Sequence, residues 1–213
     1  MPRSGKGDRY HHGDLRAALI DTAVELIGER GVRGFSVAEA SRRLGVAVSA
    51  PYAHFASRDD LLAAVAVRAF QLFHAALVPE MEKFPDPAER LAAMTRGYVR
   101  FAADHRSLFE MLYESGVDKA RHPEIEAAEQ PIDDAFMECV RALSGGDDAL
   151  SEDLATAIEA TAYGHATLLL DSGHSQDDAA VELAAERTAR ATLALVESRR
   201  VLGQPSRHPV ADP

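Results

Sequence analysis

Cysteine is almost missing from this chain. One residue, Cys139, permits neither an intramolecular disulfide nor a multi-cysteine metal site. No basic start leads into an apolar segment that could serve as a secretory signal. The longest uninterrupted apolar run, Leu61–Val67, falls far short of the roughly 18 residues a membrane helix needs. These absences read as a soluble, cytoplasmic protein with no membrane contact. Strand signals are nearly absent too. There is no phosphate-binding glycine-rich loop, no nucleophile elbow and no clustered carboxylate and histidine pattern, so nothing supports an enzyme. The pair His11-His12 is not spaced as ligands on a helix and has no cysteine or carboxylate company, so neither a metal nor a cofactor is expected.

Positive charge is in the minority and unevenly spread. The net charge is −11, yet residues 1–60 hold nine Lys and Arg against eight Asp and Glu, while the remainder holds fourteen against twenty-six. Only the first part, led by Arg3, Lys6 and Arg9, suits a polyanion. With 46% hydrophobic residues in 213, the chain can bury a sizeable core.

What is present is helix, end to end. Leu15, Leu19, Ala23 and Leu26 form one stripe, and Arg30-Gly31 reads as its stop. Ser36 followed by Glu39 predicts a capping box, and Leu44-Gly45 ends that helix after a short run. Ser57 with Asp60 repeats the start signal, ahead of a long apolar face through Leu62, Val65, Ala69, Phe70 and Phe73 toward Pro79. Between Gly45 and Ser57 one short helix fits, from about Val48 to His54, with Pro51 tolerated in its first turn. Helix, tight turn, helix is the arrangement in which the second helix enters the major groove of DNA.

The stretch GVAVSAPYAHFASRDDLL resembles the signature of the TetR family of transcriptional regulators. Gly45-Val46 stand at the turn, Tyr52 and Phe55 form the aromatic pair, and Arg58, Leu61 and Leu62 open the next helix. The preceding residues fit without a gap, including Ala23, Gly31 and Phe35-Ser36-Val37. The resemblance implies an all-α chain of about nine helices: a three-helix helix-turn-helix DNA-binding domain, then a larger helical ligand-binding and dimerisation domain. The corresponding divisions are a flexible basic arm (1–12), the DNA-binding domain (13–60), the regulatory and dimerisation domain (61–203) and a disordered tail (204–213).

Residue by residue, Tyr52 and His54 can reach phosphate oxygens, and Phe55 is core. Arg58 is a cation in a first helical turn, where the dipole opposes it, so a phosphate outside should favour it. A second phosphate suits the helix start at Ser36, with Arg42 alongside. Arg3, Lys6 and Arg9 of the arm can add phosphate or minor-groove contacts. Few hydrogen-bonding groups remain for base edges, so Val48, Ala50 and Ala47 should touch thymine methyls, with Ser49 as a polar contact.

Beyond residue 80, Asp86 and Pro87 open a helix presenting Leu91, Met94, Tyr98 and Phe101. A short helix about Ser107–Tyr113, a loop closed by Pro123 and a helix through Ile132, Phe136, Val140 and Leu143 follow. Two long helices, about Ser151–Leu170 and Ser175–Val201, resemble the family's dimerisation pair. The wording YVRFAADHRSLFEMLY resembles a family subgroup that carries Trp, three residues, then His-Gly in the penultimate helix. This chain has Glu159, three residues, then Tyr163-Gly164, so the subgroup's ligand preference does not carry over.

The leading reading is a homodimeric, ligand-responsive regulator, most often a repressor in this family, that binds a palindromic double-stranded DNA operator. A small, largely hydrophobic effector would meet Phe73, His74, Met94, Tyr98, Phe101, Met111, Phe136, Tyr163 and Thr167. A helical interaction module that kept the fold and lost DNA binding is the alternative.

Overall fold

The computed structural model describes residues 12–114, 116–171 and 177–202. Arg3, Lys6, Arg9 and His11 of the arm, most of the DSGHS break and the tail from 204 lie outside them. Among the described residues there are eight α-helices and no strand: α1 His12–Gly34, α2 Val37–Leu44, α3 Arg58–Met81, α4 Pro87–Asp104, α5 Arg106–Glu114, α6 Pro123–Ser144, α7 Asp148–Asp171 and α8 Asp178–Leu202. Two 3-10 turns, Ala50–Ala53 and Lys119–Arg121, complete the list. The ninth helix expected from the sequence is the first of these, too short to be an α-helix.

The chain forms two compact units, drawn differently from its linear divisions. Among the described residues, those up to Phe70 are joined by Ser107–Ala128 in the first; Gln71–Arg106 and those from Glu129 onward make the second.

In the first unit, α1 buries Leu19, Ala23 and Leu26 of the predicted stripe together with Ile27, while Leu15 is half-buried. The helix breaks where Arg30-Gly31 signals a stop. Gly31 takes φ 69, ψ 169, outside helical space and accessible to glycine. At the end of α2, Gly45 adopts the left-handed conformation with φ 68. Its N–H donates to the Arg42 carbonyl at 3.2 Å, and the Val46 N–H donates to the Ser41 carbonyl at 3.0 Å, which closes the last turn. Ser107 at the start of α5 donates from Oγ to the Gly28 carbonyl at 3.3 Å.

Within the second unit, α4 begins as read: Asp86 Oδ1 accepts from the Ala88 and Glu89 N–H groups at 2.8 and 3.2 Å, with Pro87 in the first turn. α4 and α8 run antiparallel. Arg96 reaches Glu186 and, one turn on, Arg100 reaches Glu182, at 2.6 and 2.8 Å from their Nε atoms. Beneath this exposed rung, the fully buried hydroxyls of Thr95 and Thr192 lie 2.9 Å apart. A polar pair in an apolar seam favours this register, because sliding either helix separates the hydroxyls and leaves each only a carbonyl of its own helix, Ala92 at 3.2 Å or Thr188 at 3.1 Å. At the end of α6, Gly145 and Gly146 take φ 67 and 86, and Arg199 from α8 donates to the orphaned Leu143 carbonyl at 2.9 Å.

α3 is, among the described helices, the one long and apolar enough to cross a bilayer. Its apolar residues Leu61, Leu62, Val65, Phe70 and Leu77 are buried within the protein instead. The expectation built on the short run Leu61–Val67 understated this length, since apolar residues continue at helical spacing beyond it.

Thr192→Val should therefore lower the unfolding free energy by about 1 kcal/mol in chemical denaturation. The Thr95→Val, Thr192→Val double variant should cost less than the sum of the single changes.

Candidate nucleic-acid interface

Five residues, 45–49, carry the chain from the end of α2 into the 3-10 turn. The turn is closed by short backbone bonds: Ala50 N–H to the Ala47 carbonyl at 2.9 Å, Tyr52 to Ser49 at 3.2 Å, and both His54 and Phe55 to Pro51 at 2.9 Å. Pro51 and Phe55 point inward and are buried. Ala47, Val48, Ser49, Tyr52 and Ala53 are exposed. Val48 at 58% and Tyr52 at 55% are among the most exposed large apolar side chains. An outward valine and an outward tyrosine on a rigid turn form a surface shaped to meet something.

The entry to α2 supplies a second element. Ser36 is the N-cap in extended geometry, φ −137 and ψ 130, but its side chain makes no capping bond. The predicted capping box is therefore corrected. Glu39 does not reach back to the cap; its carboxylate accepts from Arg42 at 2.9 and 2.6 Å and lies 3.5 Å from Arg30. Two guanidinium groups outcompete a neutral backbone N–H for that carboxylate. The first-turn N–H groups of α2 thus lack a side-chain partner, beside an exposed serine hydroxyl, and such a terminus suits an oxyanion. At α3 the start signal does form: Ser57 Oγ accepts the Asp60 N–H at 3.1 Å and donates to the Asp60 carboxylate at 2.8 Å.

The arginines of this surface are already paired. Arg43 makes two bonds of 2.8 Å to Glu29. The bond from Arg43 holds the Glu29 carboxyl below its ordinary range, and the bond from Arg42 does the same for Glu39. Arg58 corrects the argument that it needs an external anion: its Nη2 donates to the Val32 carbonyl at 2.9 Å, and its guanidinium lies 5.7 Å from the Phe35 ring centre. The same carbonyl, past the Gly31 break, also accepts the Phe35 N–H at 3.3 Å, and its partial negative charge offsets the unfavourable helix dipole. One cation escaped the sequence reading. Arg16 of α1 sits 5.2 Å over the Phe55 ring, a placement that only the folded unit creates.

These features coincide with sequence relationships. Residues 19–65 match the profile of bacterial regulatory proteins of the tetR family, and residues 91–192 match a tetracyclin repressor-like C-terminal domain. The chain belongs to the tetR family. It is a TetR-family transcriptional regulator with a helix-turn-helix DNA-binding domain. The HTH-type transcriptional regulator BetI of Rhizobium meliloti (strain 1021) is 32% identical over 89 residues, spanning 42% of this chain and 43% of BetI. The chain thus matches less than half the length of that curated relative. A protein of unknown function from Rhodococcus sp. RHA1 superposes with a TM-score of 0.68 at 29% identity, covering 88% of this chain and 98% of that one. RolR in complex with resorcinol superposes with a TM-score of 0.58 at 25% identity, covering 92% and 97%.

The residues expected to meet an effector in this TetR-family chain are distributed as follows. Phe73, Tyr98 and Phe101 form a ring cluster in the second unit, with centres 5.5 and 4.9 Å from Phe73, and His105 extends it 4.9 Å from Phe101. Met94 and Phe136 are buried, His74 and Thr167 half-buried, and Tyr163 exposed. Met111 is fully buried in the first unit, so the nine do not share one unit. On α7, Glu159 is exposed at the surface, yet the protein packed around its carboxyl, with the charge of Asp133 nearby, partly desolvates it and holds it above its ordinary range.

Arg58→Ala should remove a helix-terminal hydrogen bond and a ring contact. A loss of about 1 kcal/mol lowers Tm by about 2–4 °C in a chain of this size, readable by calorimetry. An unchanged Tm would return Arg58 to a purely external role.

Proposed function

We propose that this TetR-family regulator is a cytoplasmic homodimeric repressor that leaves a palindromic operator when a small, largely hydrophobic molecule binds its second unit. The observation that carries the DNA half is the outward Val48 and Tyr52 of the turn, which follows by one short helix the uncapped start of α2 at Ser36. In this reading Ser36 and the first N–H groups of α2 take one phosphate, and Tyr52 and His54 take another. Val48, Ser49 and Ala50 face base edges. Arg42, Arg58 and the arm residues Arg3, Lys6 and Arg9 supplement the backbone contacts.

The dimer reading rests on large apolar side chains left outward on the last two helices, Leu168 at 72% and Leu183 and Val201 also exposed. The ligand reading rests on the aromatic cluster around Phe73 and on the kinship with RolR, a regulator captured with resorcinol. An interaction module that no longer binds DNA is the second reading, favoured by the internal pairing of Arg42, Arg43 and Arg58.

Fragments selected from random DNA should share a palindrome whose half-sites lie about 34 Å apart or somewhat more. Tyr52→Phe should weaken binding about 2–10-fold on every sequence, the worth of one hydrogen bond. Glu39→Gln should tighten it and steepen the slope of log affinity against log salt by up to about one, because a carboxylate no longer competes with phosphate. Absence of any salt-dependent binding decides for the interaction module.

Leu168→Glu combined with Leu183→Glu should yield monomers in sedimentation velocity. Tyr98→Ala should change the concentration of effector that releases the operator while sparing operator affinity, and bound operator should weaken effector binding by the same factor. Resorcinol heads the panel of small aromatic molecules to be titrated.

A further inference from the structure

We propose that the turn recognises its operator half-site chiefly through the 5-methyl groups of thymine, with Val48 as the specificity-determining side chain; this rests on the DNA-binding reading above. In the major groove, guanine is read by the paired donors of Arg or Lys and adenine by the amide of Asn or Gln. Residues 46–54 contain none of these four types. The nearest arginines lie outside this segment and are paired in the free protein: Arg42 with Glu39 at 2.9 and 2.6 Å, Arg43 with Glu29 at 2.8 Å, and Arg58 with the Val32 carbonyl at 2.9 Å. The side chains the turn presents are the methyl groups of Ala47, Val48 and Ala53, the Ser49 hydroxyl and the Tyr52 phenol.

Val48 stands out among them. It is branched, more than half exposed, and held on a turn whose backbone is closed on both sides. The thymine methyl is the one apolar feature of a base edge in the major groove. An outward valine gains by covering that methyl and gains little from any other edge. Ser49, able to donate or accept, adds tolerance rather than choice at its position.

The test uses the full chain and a fragment it enriches from random DNA. Replacing the half-site thymines by deoxyuridine removes only their methyl groups and keeps pairing intact. Affinity should fall roughly fourfold for each methyl buried, the worth of about one apolar carbon. Replacing half-site guanines by 7-deazaguanine, which removes the N7 acceptor, should leave affinity unchanged. Val48→Ala should bind thymine and uracil fragments equally and keep the salt slope of the parent, since the change removes no charge. Equal affinity of the parent protein for thymine and uracil fragments overturns the inference while DNA binding stands. A tenfold loss with 7-deazaguanine overturns it in favour of guanine readout. If no fragment is enriched at all, the DNA-binding reading falls first and takes this inference with it.

Discussion

A four-residue 3-10 turn cannot hold itself together. It has too few hydrogen bonds to offset the entropy of fixing its backbone, and those it has are poorly aligned. The outward surface of this protein depends on that constraint, because Val48 and Tyr52 keep their positions only if the turn is braced from behind. Pro51 and Phe55 provide the brace by pointing into the first unit. Arg16 closes over the Phe55 ring, and the left-handed Gly45 sets the direction in which the chain leaves α2. Arg58 secures the other side by joining the start of α3 to the carbonyl past the Gly31 break.

The second unit solves a different problem. Its helices are long and alanine-rich, and alanines alone specify register weakly because one turn looks much like the next. The buried pair Thr95 and Thr192 removes that degeneracy, and the pairs Arg96–Glu186 and Arg100–Glu182 repeat the same register on the exposed edge. The bond from Arg100 holds the Glu182 carboxyl low, and that from Arg96 does the same for Glu186. Such exposed pairs contribute little energy each. Their value is in choosing one alignment among several of similar apolar burial.

Much of this was legible in the residues. The stop at Gly31, the cap at Asp86, the break before α7 and the inward Phe55 all follow from local chemistry, and local chemistry is what a sequence displays. The misreadings share a cause. Glu39 leaves its cap for Arg42 and Arg30, and Arg58 bonds a carbonyl 26 positions away. Arg16 finds Phe55 across the first unit. Each depends on a partner distant in sequence. A charged side chain has several possible partners within reach, and only the fold decides among them.

The pairing of the arginines has a consequence for time rather than for equilibrium. Cations that face outward unpaired extend an attractive field over roughly a Debye length, about 8 Å at physiological salt, and draw a polyanion in before contact. Here Glu29 and Glu39 cancel much of that field at its source. The paired arginines of the first unit therefore contribute less long-range attraction than the same cations would unpaired. On the proposed readout, how long a complex lasts, and hence how sharply one sequence is told from another, is then governed by the close contacts of a few methyl and hydroxyl groups. Such a protein trades speed of search for indifference to the wrong site.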